Sequence, residues 1–220
     1  MGTLLQDLRF TFRQLRKSPS FTITVVLTLA LGIGANSAIF SLVNSLLLKP
    51  LPVPNPGQIM ALTLRQNNIP SLPPLSWPEL KEVRRQSDSL FTDVFAYTLG
   101  LDGIAADGRH PQRIVTSYVS GNFFTGLGLK PAIGRLFLPT EGEVLGSDPE
   151  VVLGYGLWER NFNSDPNIVG RKVTVDGQPL TVVGVAPKGF KGLQSFITSE
   201  AFMPLSQQGI EGTPPDLITG

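Results

Sequence analysis

The side chains best suited to chemistry are few, and they are badly placed for it. The 220-residue chain holds no cysteine and a single histidine, His110, which removes thiolate metal sites, iron–sulfur clusters, cysteine nucleophiles, disulfides and imidazole clusters. His110 stands in Asp107-Gly108-Arg109-His110-Pro111, a polar turn in which an imidazole is solvated rather than catalytic. Serines are numerous, yet none sits in a Gly-x-Ser-x-Gly elbow. No Gly-x-x-x-x-Gly-Lys-Ser/Thr loop occurs, so this chain does not bind ATP in the P-loop manner. Gly32-Ile33-Gly34 offers two glycines but no preceding strand, and it lies deep in an apolar run. The acidic residues Glu141, Glu143, Asp148 and Glu150 are broken up by Gly142, Gly146 and Pro149, and they read as a solvated loop rather than a calcium site. No catalytic, cofactor-binding or metal-binding residue is expected, and no enzyme.

What could position such side chains is decided by where the apolar residues fall. Charged residues make up 16% and hydrophobic ones 41%, and the mean hydropathy of +0.13 lies at the apolar edge for a globular chain. Residues 1–49 carry Arg9, Arg13, Arg16, Lys17 and Lys49 against Asp7, leaving 13 basic and 16 acidic residues beyond. The larger part is therefore mildly acidic, which argues against a nucleic-acid partner.

From Ser18 to Leu48 there are 31 consecutive uncharged residues. Phe21 to Leu48 would extend about 42 Å as a helix at roughly 1.5 Å per residue, more than a hydrocarbon core of about 30 Å requires. The reading is one transmembrane helix within 18–49. A cleaved signal peptide would end near Ala35-Asn36-Ser37, but apolar residues resume at Ala38. A pilin leader wants glycine where Ser20 stands and an acidic residue near Val25. The basic flank precedes the span, and after Lys49 the next basic residue is Arg65. The positive-inside rule thus predicts a cytoplasmic N-terminus in the inner membrane and an exported, periplasmic or extracellular, C-terminal part. Leu4, Leu5, Leu8, Phe12 and Leu15 at helical spacing predict a cytoplasmic amphipathic segment over 1–17, lying against lipid. Within the span, Ala30, Gly34 and Ala38 form a small-residue row beside Ser37, Ser41 and Ser45, a face suited to packing on another membrane helix.

Past the span, eight prolines fall between Pro50 and Pro78 around an expected strand, Gln58 to Leu64. This 50–78 stretch reads as a proline-stiffened lead-in. A helix is expected over Glu79 to Gln86. Strands are expected over Leu90 to Leu99, Leu101 to Ala105 and Gln112 to Val119, with turn signals at Gly100 and Asp107-Gly108. Asp176-Gly177 between two alternating runs is the clearest hairpin signal. Short helices are expected at Gly121 to Gly126 and Gly156 to Phe162, and Phe123-Phe124 with Leu127 and Leu129 read as core. The fold class is α+β, an N-terminal transmembrane helix followed by a mixed α/β domain over 79–220, with one lobe or two.

The opening Asp7-Leu8-Arg9, Arg13-Gln14-Leu15-Arg16-Lys17-Ser18-Pro19 and Leu27-Thr28-Leu29-Ala30-Leu31-Gly32-Ile33-Gly34-Ala35-Asn36 resembles that of MacB/FtsX-type ABC transporter permeases. Ser120-Gly121-Asn122-Phe123-Phe124, Leu127-Gly128-Leu129-Lys130-Pro131, Gly134-Arg135, Gly156-Leu157-Trp158, Asp165-Pro166, Val169-Gly170, Val182-Val183-Gly184-Val185-Ala186-Pro187 and Gly189-Phe190 resemble the MacB-like periplasmic core domain. The resemblance implies a permease-type membrane subunit that transmits ATP-driven motion to an exported domain. It further implies a separate or fused ATP-binding subunit, a second permease copy in a dimer, and an exported protein partner. Such permeases return through the membrane after the exported domain. No second hydrophobic run precedes Gly220, so the expectation is an N-terminal fragment of a permease or a degenerate gene. A membrane-anchored protein-interaction module with no transport role is the other reading left open.

Overall fold

The computed structural model describes residues 13, 16–47, 51–62, 65–66, 69–70, 77–87, 89–106, 110–194 and 196–208. Its contacts divide the chain into two units, 1–49 and 50–220.

The first unit contains one long helix, α1 (Pro19–Leu47). Pro19 opens it, where a missing N–H and a fixed φ cost nothing. Pro19–Ser41 has mean hydropathy 1.9, long and apolar enough to cross a bilayer. Hydroxyls inside this stretch find partners within the helix: Thr22, Thr24 and Thr28 donate to the carbonyls of Ser18, Ser20 and Thr24 at 3.0, 2.9 and 2.8 Å. Such back-bonding removes the penalty for a polar atom in hydrocarbon. Of the amphipathic segment expected over 1–17, only Arg13, Arg16 and Lys17 fall among the described residues.

The second unit is built on a mixed sheet. Its strands are β3 (Tyr97–Ala105), β4 (Gln112–Val119), β5 (Ile133–Gly134), β6 (Glu150–Leu153), β7 (Lys172–Val175), β8 (Gln178–Val185) and β9 (Ala201–Pro204). The order is β5-β8-β6-β9-β4-β3-β7, and β7 also pairs with β8, so six strands close into a ring with β5 attached outside it. Two short strands before them, β1 (Arg65–Gln66) and β2 (Ile69–Pro70), pair only with each other. The helices are α2 (Trp77–Ser87), α3 (Phe123–Gly126) and α4 (Tyr155–Phe162).

Strand alternation feeds two apolar clusters. Val151 and Leu153 of β6, Leu180, Val182 and Val185 of β8, and Ala201 and Met203 of β9 join Ile104, Ile114, Tyr118, Val173 and Val175 and the α4 residues Leu157, Trp158 and Phe162. Their neighbours of opposite parity, Val152, Val183 and Phe202, join Phe123, Phe124, Phe137 and Phe190. A register shift between Val151 and Val152 leaves Val183 of β8 without a facing residue, pairs Val152 with Gly184 and sets Val182 and Val185 opposite Val151 and Leu153. The second cluster is aromatic: Phe124 meets Phe123, Phe202 and Phe137 at ring separations of 5.2, 5.3 and 5.7 Å. Offset and edge-on ring pairs of this kind contribute about 0.5–1.5 kcal/mol each beyond burial.

Several expectations need correcting. The strand over Gln58 to Leu64 is absent among the described residues: Pro56–Gln58 forms a 3-10 turn and 59–62 has no regular structure. Residues 63 and 64 lie outside the described residues. The apolar side chains there act as plugs instead, with Val53 and Ile59 packing on the aromatic cluster. Leu90 to Leu99 is strand only from Tyr97, and Phe95 ahead of it packs on the aromatic cluster without a strand partner in the sheet. Gly100 is no turn, since β3 runs straight through it. A Cβ there would lie 2.6 Å from the Tyr118 ring of the next strand, so glycine marks a close approach inside the sheet. The Asp176-Gly177 hairpin forms as expected, Val175 facing Gln178 with both turn residues at positive φ, 45° and 85°.

Candidate functional site

On α1, Ala30, Gly34, Ser37, Ala38 and Ser41 are all exposed, and a Cβ added at Gly34 would meet nothing within 4 Å. Ser45 belongs to the same helix, but its side chain lies outside the described residues.

In the second unit, the motif Ser120-Gly121-Asn122-Phe123-Phe124 follows β4 and ties four segments together. Its centre is Asn122, 8% exposed. The Asn122 Oδ1 accepts from Arg84 Nη2 of α2 at 2.7 Å and from the Ser120 hydroxyl at 2.8 Å, while Nδ2 donates to Asp93 Oδ1 at 2.5 Å and to the Val94 carbonyl at 3.0 Å. Arg84 Nε donates to that same carbonyl at 2.9 Å, and Ala96 N–H donates to the Ser120 hydroxyl at 3.0 Å. One amide thereby fixes α2, the 93–96 segment and the start of α3. Gly121 is crowded by the Leu138 and Glu141 carbonyl oxygens, so any side chain would push that backbone away. Phe123 and Phe124 are 1% and 0% exposed and carry the motif into the aromatic cluster. A cavity of about 330 Å³ lies beside Asn122, lined by Arg84, Asp93 and Phe91 among others. Its Asn122 and Asp93 side chains are spent on the network described, which leaves it a poor ligand site.

Gly134-Arg135 organises the acidic residues that read as a solvated loop. Arg135 Nη1 contacts Glu141 at 2.9 Å and Nη2 contacts Glu150 at 2.6 Å. Burial works against the Arg135 charge, and the hydrogen-bonded Glu141 and Glu150 outweigh it and hold the guanidinium pKa up. Burial also lifts the Glu150 carboxyl above its ordinary value, with Arg135 opposing and Glu141 adding. Asp148 accepts from Gly142 N–H at 2.9 Å and Ser147 Oγ at 2.7 Å, whereas Glu143 faces Lys81 and Arg84 of α2. Separation in sequence hid this arrangement, because the cation lies ahead of the carboxylates in a different motif. No group of three or more metal-ligating side chains occurs among the described residues.

The remaining motifs serve the turn after α4. Trp158 Nε1 donates to the Asp165 carbonyl at 2.9 Å, Asp165 Oδ1 caps the Pro166–Ile168 turn through Asn167 N–H at 2.9 Å, and Oδ2 accepts from Arg171 at 3.1 Å. Gly170 holds φ of 87°, which favours glycine. His110 is exposed, and Asp107 to Arg109 lie outside the described residues.

The sequence matches the family model described as the MacB-like periplasmic core domain over residues 22–217. No curated protein matches it. Among solved structures, the periplasmic region of MacB from Actinobacillus actinomycetemcomitans aligns at 20% identity with a TM-score of 0.45, over 57% of this chain and 54% of that one. The extracellular domain of the noncanonic ABC-type transporter YknZ from Gram-positive bacteria aligns at 18% and 0.42, over 52% and 55%. A domain of a putative permease protein from Porphyromonas gingivalis aligns at 13% and 0.37, over 52% and 46%. The chain thus spans about half the length of each of these proteins.

Proposed function

The chain belongs to the MacB-like periplasmic core domain family, and on that premise we propose that it is a permease-type membrane subunit of an ABC transporter, or the N-terminal part of one, transmitting ATP-driven motion to a domain outside the cytoplasm. The observation that carries this reading is the extent of the match. It starts at residue 22, inside the uncharged helix α1, and ends at residue 217, so helix and sheet domain belong to one family pattern. In this reading 1–17 lies on the cytoplasmic leaflet, 18–49 spans the inner membrane, 50–78 leads into the domain, and 79–220 is the exported core. The charge asymmetry around the span supports that orientation. No P-loop occurs in these 220 residues, and in this reading the energy comes from a separate or fused ATP-binding subunit. Ala30, Gly34, Ser37, Ala38, Ser41 and Ser45 are the face on which a second permease helix or a second copy packs.

Because the chain has no cysteine, introduced ones can be read without background. A membrane-impermeant maleimide applied to intact spheroplasts should label Glu159→Cys and leave Gln6→Cys unlabelled until detergent is added. With the ATP-binding subunit co-reconstituted, spin labels on Glu159→Cys in two copies should change separation on ATP hydrolysis. Reversed labelling would overturn the orientation, and an ATP-independent separation would overturn the transmission of motion.

A further inference from the structure

Inside the strand ring lies a carboxyl group with no structural counter-charge. Asp102 of β3 is 6% exposed, on the same face as Ile104 and beside the β4 residues Ile114, Thr116 and Tyr118. Its Oδ1 accepts from the Tyr118 hydroxyl at 3.0 Å. Its Oδ2 and the Thr116 hydroxyl are both buried, and neither completes a hydrogen bond. An ionised Oδ2 would have only the poorly aligned Thr116 hydroxyl beside it, and a buried charge so weakly compensated costs several kcal/mol in an apolar interior. A protonated one instead has a donor to give, and the Asp176 carboxyl of the β7–β8 turn, whose Oδ1 lies on the N–H of the next residue Gly103, is near enough to raise Asp102.

Asp176 already holds the seam between β3 and this hairpin. Its N–H donates to the Gly103 carbonyl at 2.9 Å, and its Oδ1 accepts from Gly103 N–H at 2.6 Å. Beyond this clamp, the described residues of β3 and β7 face each other at Ile104↔Val175 and Ala105↔Thr174, against eight facing pairs between β3 and β4. The seam that Asp176 clamps is therefore one of the two shortest in the ring, the other being β6–β9 with two facing pairs.

We propose that Asp102 keeps its proton and donates it to Asp176 across this seam, so that closure of the ring between β3 and β7 depends on pH outside the membrane. Loss of the proton would leave two carboxylates facing each other, one of them buried, and their repulsion would part the hairpin from β3. The other titratable group facing Asp102 is Tyr118. The charged residues of β4 and β7, Arg113 and Lys172, are exposed, while β8 and β9 carry none. Burial, followed by the nearby Asp176, raises Asp102 above its ordinary value of 3.8 against the opposing Thr116 and Tyr118 hydroxyls. The folded chain thus holds a proton that the unfolded chain has lost. Its stabilising contribution is complete below 3.8 and disappears as pH rises through the folded value.

The test is hydrogen exchange of the full chain in detergent, corrected for the intrinsic pH dependence of exchange and read on peptides covering 97–106 and 172–178, with the β4–β9 peptides as reference. Protection at the seam should fall by up to about tenfold per pH unit once the single proton is lost, while the reference peptides hold. Asp102→Asn should keep the seam protected at every pH. Asp176→Asn preserves the turn, since Asn-Gly suits it equally, and it should both shrink the loss and move it, because the carboxylate that repels a deprotonated Asp102 is gone. Seam protection independent of pH, or wild-type behaviour in Asp102→Asn, would overturn the proposal. Should Asp102→Asn fail to fold, an unmoved transition in Asp176→Asn would overturn it alone.

Discussion

Replacing Arg135 with methionine keeps most of the stem's volume and deletes the charge held between Glu141 and Glu150. The two carboxylate side chains are 12% and 23% exposed, whereas that of Arg135 is 40% exposed. Removing one partner of a fully buried ion pair costs about 3–5 kcal/mol, and exposed pairs contribute about 0–1 kcal/mol. The intermediate exposure places Arg135→Met near ~2 kcal/mol, or roughly a 30-fold loss in the folding equilibrium constant. The deficit should also depend on pH in a stated sense. Glu150 is held above its ordinary value of 4.5 by burial even with Arg135 present, and without the cation it moves further up. Such groups stabilise the folded chain below their unfolded values and lose that contribution as pH rises through the folded ones. The gap between variant and wild type should therefore be largest near neutrality and close toward 4.5. Urea titrations in detergent, followed by emission of the buried Trp158, would measure it. A gap of constant size across that range would refute the electrostatic argument and leave only lost packing. Arg135→Lys should recover part of the loss, since an ammonium keeps the charge but cannot fork onto two carboxylates.

Phe124→Ala should cost about 3–5 kcal/mol, seen as a lower urea midpoint in the same assay, because the ring is fully buried among Phe123, Phe137, Phe190 and Phe202. A loss under about 1 kcal/mol would mean that the cluster collapses to fill the hole. In a membrane two-hybrid assay, Gly34→Leu should abolish helix association while Val26→Leu retains it, since leucine holds a facing backbone away. Equal signal from both would make the small residues ordinary membrane-helix composition.

Features decided by neighbours along the chain were legible in the sequence. The uncharged run announced α1, Asp176-Gly177 announced its hairpin, and the alternation in Gln112 to Val119 gave β4 its ends. Features decided by distant partners were not. Phe95 looks like strand until the aromatic cluster is assembled around it, and Gly100 looks like a break until the Tyr118 ring lies over it. The Arg135 carboxylates look solvated until the chain returns at Glu150. Asp102 could have been flagged only by noticing that its parity matches the inward Ile104, a signal that needs the ring to be known.

The position of β9 has a consequence for how the domain is made. It is the last strand of the described residues, yet it sits between β4 and β6, parallel to one and antiparallel to the other, with all four residues buried. Until Ala201 to Pro204 are synthesised, β4 and β6 each keep an open edge, and the two apolar clusters lack Met203 and Phe202. A chain emerging from its N-terminus must therefore wait for a central stave before the ring can shut, and long-range pairing of this sort is slow and exposed to aggregation. Nascent chains arrested before Ala201 should stay open to protease, and those released beyond Gln207 should become resistant in one step. The closing of the described sheet is thus timed by β9, long after the residues of β3 and β4 have been made.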